Sequence, residues 1–123
     1  MENKVLLLAE DDEMFASLLH YRLEKGGYEV VLHNDGREVK EYLSNSLPDV
    51  IVSDIMMPYF SGLELVDHVR NQLNSDIPII IISAAGNEVN VLNAFELGAN
   101  DFLPKPVSPS ELMARLAKEL NKT

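Results

Sequence analysis

The sequence predicts one α/β domain with a doubly wound parallel sheet and helices on both faces. Three observations carry that expectation. Short apolar runs alternate five times with longer amphipathic stretches along the 123 residues. The first, third and fourth runs are apolar without alternation, as expected of strands covered on both faces. Helix start and stop signals fall between the runs. Right-handed crossovers then wind βαβ units onto both sides of one sheet.

The first run, Val5-Leu6-Leu7-Leu8-Ala9, leads into Glu10-Asp11-Asp12. Met14, Phe15, Leu18, Leu19 and Leu23 follow at three- and four-residue spacings, which puts them on one helix face. Gly26-Gly27 can stop that helix. The second run, Tyr28 to Leu32, alternates less cleanly and suits a sheet edge. Asp35 with Glu38, and later Ser61 with Glu64, can form capping boxes for the next two helices. Pro48 and Pro78 precede the third run, Val50 to Ser53, and the fourth, Ile79 to Ile82, where they cost no central ladder bond. Gly98 sits where the fourth helix should end. Phe102-Leu103 is too short to read from its own pattern, and its place in the rhythm makes it the fifth strand. Ser108, Pro109 and Glu111 supply a cap, an N1 proline and an N3 acid to a last helix. Leu112, Met113, Leu116 and Leu120 share a face of that helix. The expectation is a single domain spanning residues 1–123, with no linker, repeat or output domain.

Composition narrows the function. There is no cysteine, which excludes disulfides, thiol catalysis and cysteine-ligated metals. The net charge is -10, which disfavours direct nucleic-acid binding and is compatible with a divalent cation. The apolar run near the N-terminus is too short for a signal peptide. No apolar stretch approaches the ~20 residues of a membrane span. A cytoplasmic location is the expectation.

In this architecture functional groups gather at the carboxyl ends of the strands. Strand one ends in Glu10-Asp11-Asp12, strand three in Asp54, strand four in Ser83, and Lys105 follows strand five. Alone, Asp54 or Ser83 would read as a cap and Lys105 as a solvated loop residue; their joint placement points to chemistry. Clustered carboxylates repel unless a cation compensates. None of the histidines, His20, His33 and His68, is expected at a strand end, and all three read as structural or surface groups. The cation expected is therefore hard, and Mg2+ prefers oxygen ligands. Asp11 and Asp54 could bind it directly, Glu10 through water, and Met56 through its backbone carbonyl. Asp12 is expected to face the first helix and help cap it. A carboxylate such as Asp54 can act as a nucleophile toward phosphorus, with the metal offsetting charge. Lys105 would pair with one phosphoryl oxygen, and Ser83 would donate to another.

These pieces, together with Asp49 to Pro58, Gly62, Ile79 to Ala84 and Gly98 to Pro106, resemble the receiver domain of two-component response regulators over nearly the whole chain. The resemblance implies the flavodoxin-like sheet order 2-1-3-4-5. It implies that Asp54 takes a phosphoryl group from a phosphohistidine on a partner histidine kinase or phosphotransfer protein. Glu10 and Asp11 match the acidic pair, Ser83 the switch hydroxyl, Lys105 the lysine and Phe102 the aromatic switch position. Pro106 matches a proline that follows a cis bond. The signal would then appear on the surface of helix four, strand five and helix five. The domain would be no turnover enzyme, but would label itself from small phosphodonors and lose the label slowly.

The segment Ser110 to Leu116 is similar to receivers of the winged-helix transcription factors, which dimerise through that same surface. Asp101, Glu111 and Arg115 fit the charged interface, whereas Asn100 replaces a usual acid and Val91 lies in a stretch that is usually basic. The alternative is a receiver-like interaction module that works without phosphate. An aspartyl phosphatase would place an Asp-x-Asp unit early, and a flavin protein would carry hydroxyl and glycine loops where these strand ends carry acids.

Overall fold

The computed structural model describes residues 3–84 and 88–121. The elements run β1 (Val5–Ala9), α1 (Glu13–Lys25), β2 (Glu29–His33), α2 (Gly36–Asn45), β3 (Val50–Asp54) and α3 (Gly62–Asp67). A π-helical turn (His68–Gln72) extends α3, and β4 (Ile79–Ala84), α4 (Glu88–Leu97), β5 (Asp101–Lys105) and α5 (Pro109–Leu120) follow. The five strands are parallel in the order β2-β1-β3-β4-β5, the expected flavodoxin-like arrangement.

Period-two alternation splits the strand side chains between two cores. Leu7, Ala9, Ile51, Ile79 and Ile81 meet Val39 and Leu43 of α2, Leu65 and Val66 of α3, and Ala94 of α4. Leu6, Leu8, Val50, Val52, Ile80 and Ile82 meet Leu19 and Leu23 of α1 and Leu112 and Leu116 of α5. Burial on both faces explains why these strands read as continuous apolar runs.

The helix signals act largely as expected. The side chains of Asp12, Asp35, Ser61 and Ser108 each accept an amide three residues on. Of these four caps, Ser61 alone closes a reciprocal box, with Glu64; Glu38 turns instead to His33, 3.2 Å away. The apolar stripe of α1 is narrower than its spacing implies, because Leu19 and Leu23 are buried while Met14 is 86% exposed and Leu18 50%. β5 extends beyond the Phe102-Leu103 pair because ladder partners on β4 recruit Asp101, Pro104 and Lys105.

One arginine ties three elements together. Arg70, in the π-helical turn, donates to the carbonyls of Gly98, Ser75 and Ile77 and to Asn100 Oδ1 at 2.8–3.0 Å. Asn100 Oδ1 also accepts the Ile79 amide at 2.9 Å. Asn100 thus joins the starts of β4 and β5.

Candidate functional site

Glu10, Asp54, Ser83 and Lys105 lie at the carboxyl edge of the sheet because their strands are parallel and in register. Asp54 ends β3, Lys105 ends β5, and Ser83 is the penultimate residue of β4. Glu10 follows β1 and continues its pairing, since its amide donates to the His33 carbonyl at 3.2 Å. Oxygens of Glu10, Asp11 and Asp54 all fall within 4.8 Å of one another.

Glu10 is fully buried and Asp54 is 5% exposed, whereas Asp11 faces solvent. Asp54 Oδ2 accepts from Lys105 Nζ at 2.6 Å, and Oδ1 accepts the Met56 amide at 3.0 Å. Glu10 Oε2 accepts the Asp12 amide at 3.0 Å. Glu10 Oε1 sits 3.0 Å from Lys105 Nζ. That contact is ionic rather than an aligned hydrogen bond, and Oε1 is the buried side-chain oxygen left without a hydrogen-bond partner among the described residues.

One ammonium thus faces two buried carboxylates and stands closer to Asp54. Burial pushes the Glu10 carboxyl up to about 7; the Asp12 amide and Lys105 oppose the shift, and the Asp54 charge adds to it. Burial alone would lower Lys105, but its contacts to Asp54 and Glu10 outweigh that and raise it. The two shifts are consistent, because Lys105 gains from both acids, whereas for Glu10 burial outweighs what the Asp12 amide and Lys105 return.

These donors fit a hard divalent cation. The cluster carries more acids than Lys105 can neutralise, one buried carboxylate oxygen lacks a hydrogen-bond donor, and every acidic ligand is oxygen. A carboxylate held at a strand end beside such a site can also receive a phosphoryl group.

The remaining expected residues are less uniformly placed. Ser83 is nearly buried, and its hydroxyl donates to the Ala84 carbonyl at 3.3 Å. The Met56 side chain is 70% exposed whereas Met57 is buried, so only Met57 packs in the loop as expected of both. Phe102 is half-buried against the core cluster that includes α2, α3 and α4. The Lys105-Pro106 bond is cis. Arg115 binds both carboxylate oxygens of Asp101, at 2.7 and 2.8 Å, and lies 3.4 Å from Glu111 within the same chain. One histidine does end a strand, because β2 runs one residue further than its apolar pattern and closes on His33. Its ring turns to Glu38, His20 pairs with Glu24 and His68 meets the Phe60 ring edge, so none joins the Glu10, Asp11 and Asp54 group.

Two contributors escaped the sequence reading. Asn34 donates its side-chain amide to the Glu10 carbonyl at 3.0 Å. It stands just past β2, so strand-end logic applied to the second strand would have found it. Phe15 places its ring 4.9 Å from Lys105 Nζ. Helical spacing marked it only as a core-facing residue.

Comparison with known proteins agrees with this site. The response regulator receiver domain model matches residues 6–117. The chain is 36% identical over 121 residues to the alkaline phosphatase synthesis transcriptional regulatory protein PhoP of Bacillus subtilis, covering 98% of this chain and 50% of that protein. It is 36% identical over 124 residues to the phosphate regulon transcriptional regulatory protein PhoB of Pseudomonas aeruginosa, covering 100% of this chain and 54% of that protein. The chain therefore spans about half the length of these curated relatives. Among solved structures, the receiver domain of the Francisella response regulator 1452 superposes with a TM-score of 0.89 at 34% identity, covering 96% of this chain and 97% of that one. A response regulator from Chloroflexus aurantiacus gives 0.91 at 34% identity, covering 98% and 100%. No helix among the described residues is long and apolar enough to cross a membrane. With its β2-β1-β3-β4-β5 sheet and its acid cluster beside Asp54, this chain belongs to the response regulator receiver domain family, whose members are phosphoacceptors rather than turnover enzymes.

Proposed function

We propose that this domain is a signalling switch in which Asp54 accepts a phosphoryl group from a phosphohistidine on a histidine kinase or phosphotransfer protein. The observation that carries the reading is the Asp54 carboxylate, gripped by Lys105 at 2.6 Å and grouped with Glu10 and Asp11. An Asp54 oxygen attacks phosphorus, the P–N bond breaks, and the imidazole leaves with the bonding pair and takes up a proton. Asp11, Asp54 and the Met56 carbonyl would hold Mg2+, with Glu10 acting through water, and the ion would supply charge neutralisation for the transfer. Lys105 exchanges its carboxylate contact for a phosphoryl oxygen. The Ser83 hydroxyl, on a long bond to Ala84, turns to another.

The new charge biases a two-state element. Movement of Ser83 opens space toward which half-buried Phe102 shifts, and the α4–β5–α5 surface changes. That surface is the expected output and the candidate homodimer face. Val89, Leu92 and Phe95 are exposed along α4. Asp101 and Glu111 already engage Arg115 internally, so a dimer built on these charges exchanges ion pairs rather than adding them. Residues 1–123 act as one receiver domain in this reading.

The test is intact mass after treatment with acetyl phosphate. Mg2+ should allow addition of one phosphoryl group, chelator should prevent it, and Asp54→Asn should stay unlabelled. Labelling that persists in Asp54→Asn overturns Asp54 as the acceptor, and a wild type that never labels overturns the proposal and favours a phosphate-independent interaction module.

A further inference from the structure

The loop between β3 and α3, residues 55–61, is pinned from several sides. The Ile55 carbonyl accepts the Gly62 amide at 2.8 Å, and the Pro58 carbonyl accepts the amide of Gly36, the first residue of α2, at 3.0 Å. α2 approaches closely here, since a Cβ on Gly36 would lie 2.3 Å from Phe60 Cβ and 2.6 Å from the Pro58 carbonyl oxygen. Met57 and Phe60 are buried, whereas Tyr59 is 70% exposed.

Tyr59 has a φ of 69°, in the left-handed region. That conformation is unfavourable for a bulky residue with no short polar side chain to bond its own backbone. Such strain persists where surrounding contacts over-determine it. The contact on its side chain comes from α2: the Arg37 guanidinium carbon lies 4.0 Å from the Tyr59 ring centroid. Its ion pair to Asp35, at 3.8 Å, is long. Were Tyr59 to relax to negative φ, the peptide joining Pro58 to Tyr59 would rotate. The Pro58 carbonyl would swing from the Gly36 amide and release the segment that begins at Met56.

From these contacts we infer that Arg37 and Tyr59 are positioning residues for the metal site: Arg37 clamps the strained Tyr59 and so holds the β3–α3 loop with the Met56 carbonyl presented to the cation. The inference rests on the proposed role of that carbonyl. Without the clamp the competent loop is populated for less of the time, and apparent affinity falls by that fraction. Electrostatics alone gives the opposite sign, because removing a cation near an acidic site favours Mg2+ binding.

The experiment is calorimetric titration of Mg2+ into wild type, Arg37→Ala, Arg37→Lys, Tyr59→Gly and the Arg37→Ala/Tyr59→Gly pair, with metal-free melting as the check on folding. Arg37→Ala should weaken Mg2+ binding by up to about two- to fivefold, the full weight of one exposed cation–π contact at 1.4 kcal/mol per tenfold. Arg37→Lys should fall between it and wild type. In the Tyr59→Gly background, where no ring remains to clamp and glycine adopts positive φ without strain, Arg37→Ala should have no effect. Unchanged or tighter binding by Arg37→Ala, or equal weakening with and without Gly at 59, overturns the inference. A wild type that takes up no Mg2+ overturns the metal reading beneath it.

Discussion

Replacing Glu10 with glutamine should flatten the pH dependence of stability in the metal-free protein. Burial lifts the Glu10 carboxyl from 4.5 to about 7 in the folded chain. Between those values the folded state holds a proton that the unfolded state has released. Stability from this group is therefore greatest below 4.5 and falls as pH rises toward 7. At 1.36 kcal/mol per unit, the gap corresponds to about 3 kcal/mol lost by pH 8. Lys105, raised from an ordinary value of 10.5, stays charged throughout this range and adds no slope. Glutamine keeps an acceptor for the Asp12 amide and carries no charge to desolvate. Urea unfolding in chelator at pH 5, 6, 7 and 8 should show Glu10→Gln gaining on wild type with each step, to an advantage of about 3 kcal/mol. Mg2+ should close the gap by stabilising wild type most at high pH, where no proton must leave. Parallel curves for the two proteins across this range would refute the reasoning, because they would mean that burial does not hold a proton on Glu10.

Two further substitutions test the scaffold. Arg70→Met strands the carbonyls of Gly98, Ser75 and Ile77 and should cost about 2–3 kcal/mol by urea unfolding. Arg70→Lys should recover only part, since an ammonium lacks the planar fork; equal stability of all three proteins would show that the arginine is not a structural tie. Gly62→Ala places a methyl 2.5 Å from the Asp54 carbonyl oxygen and 2.9 Å from Ile55 Cα, where backbone must move. It should cost about 1–3 kcal/mol and slow labelling of Asp54, and unchanged melting and labelling would contradict that crowding.

Much of the fold was legible because burial leaves a local trace. Ile79 to Ile82 is fully buried and apolar at every position, so it reads as a strand with no knowledge of its neighbours. Ser108, Pro109 and Glu111 announce a helix start because capping is a contact between residues three apart. The stripe of α1 was overread, since spacing reports which residues share a face but not how wide a strip the sheet covers. Met14 and Leu18 lie beyond that strip. The π-helical turn at His68–Gln72 left no recognisable mark, since its arginine satisfies carbonyls from distant segments.

The site divides in the same way. The inventory at the strand ends, Glu10, Asp11, Asp54, Ser83 and Lys105, is readable along the chain, and with it an oxygen-rich chemistry. That holds because parallel strands and right-handed crossovers bring all carboxyl ends to one edge. How their charges are shared follows from packing in three dimensions. Lys105 lies nearer Asp54 than Glu10, Glu10 is sealed from water, and Arg37 reaches across from α2 to Tyr59. Desolvation and Coulomb forces depend on distances between residues far apart in the chain, and no local pattern encodes them.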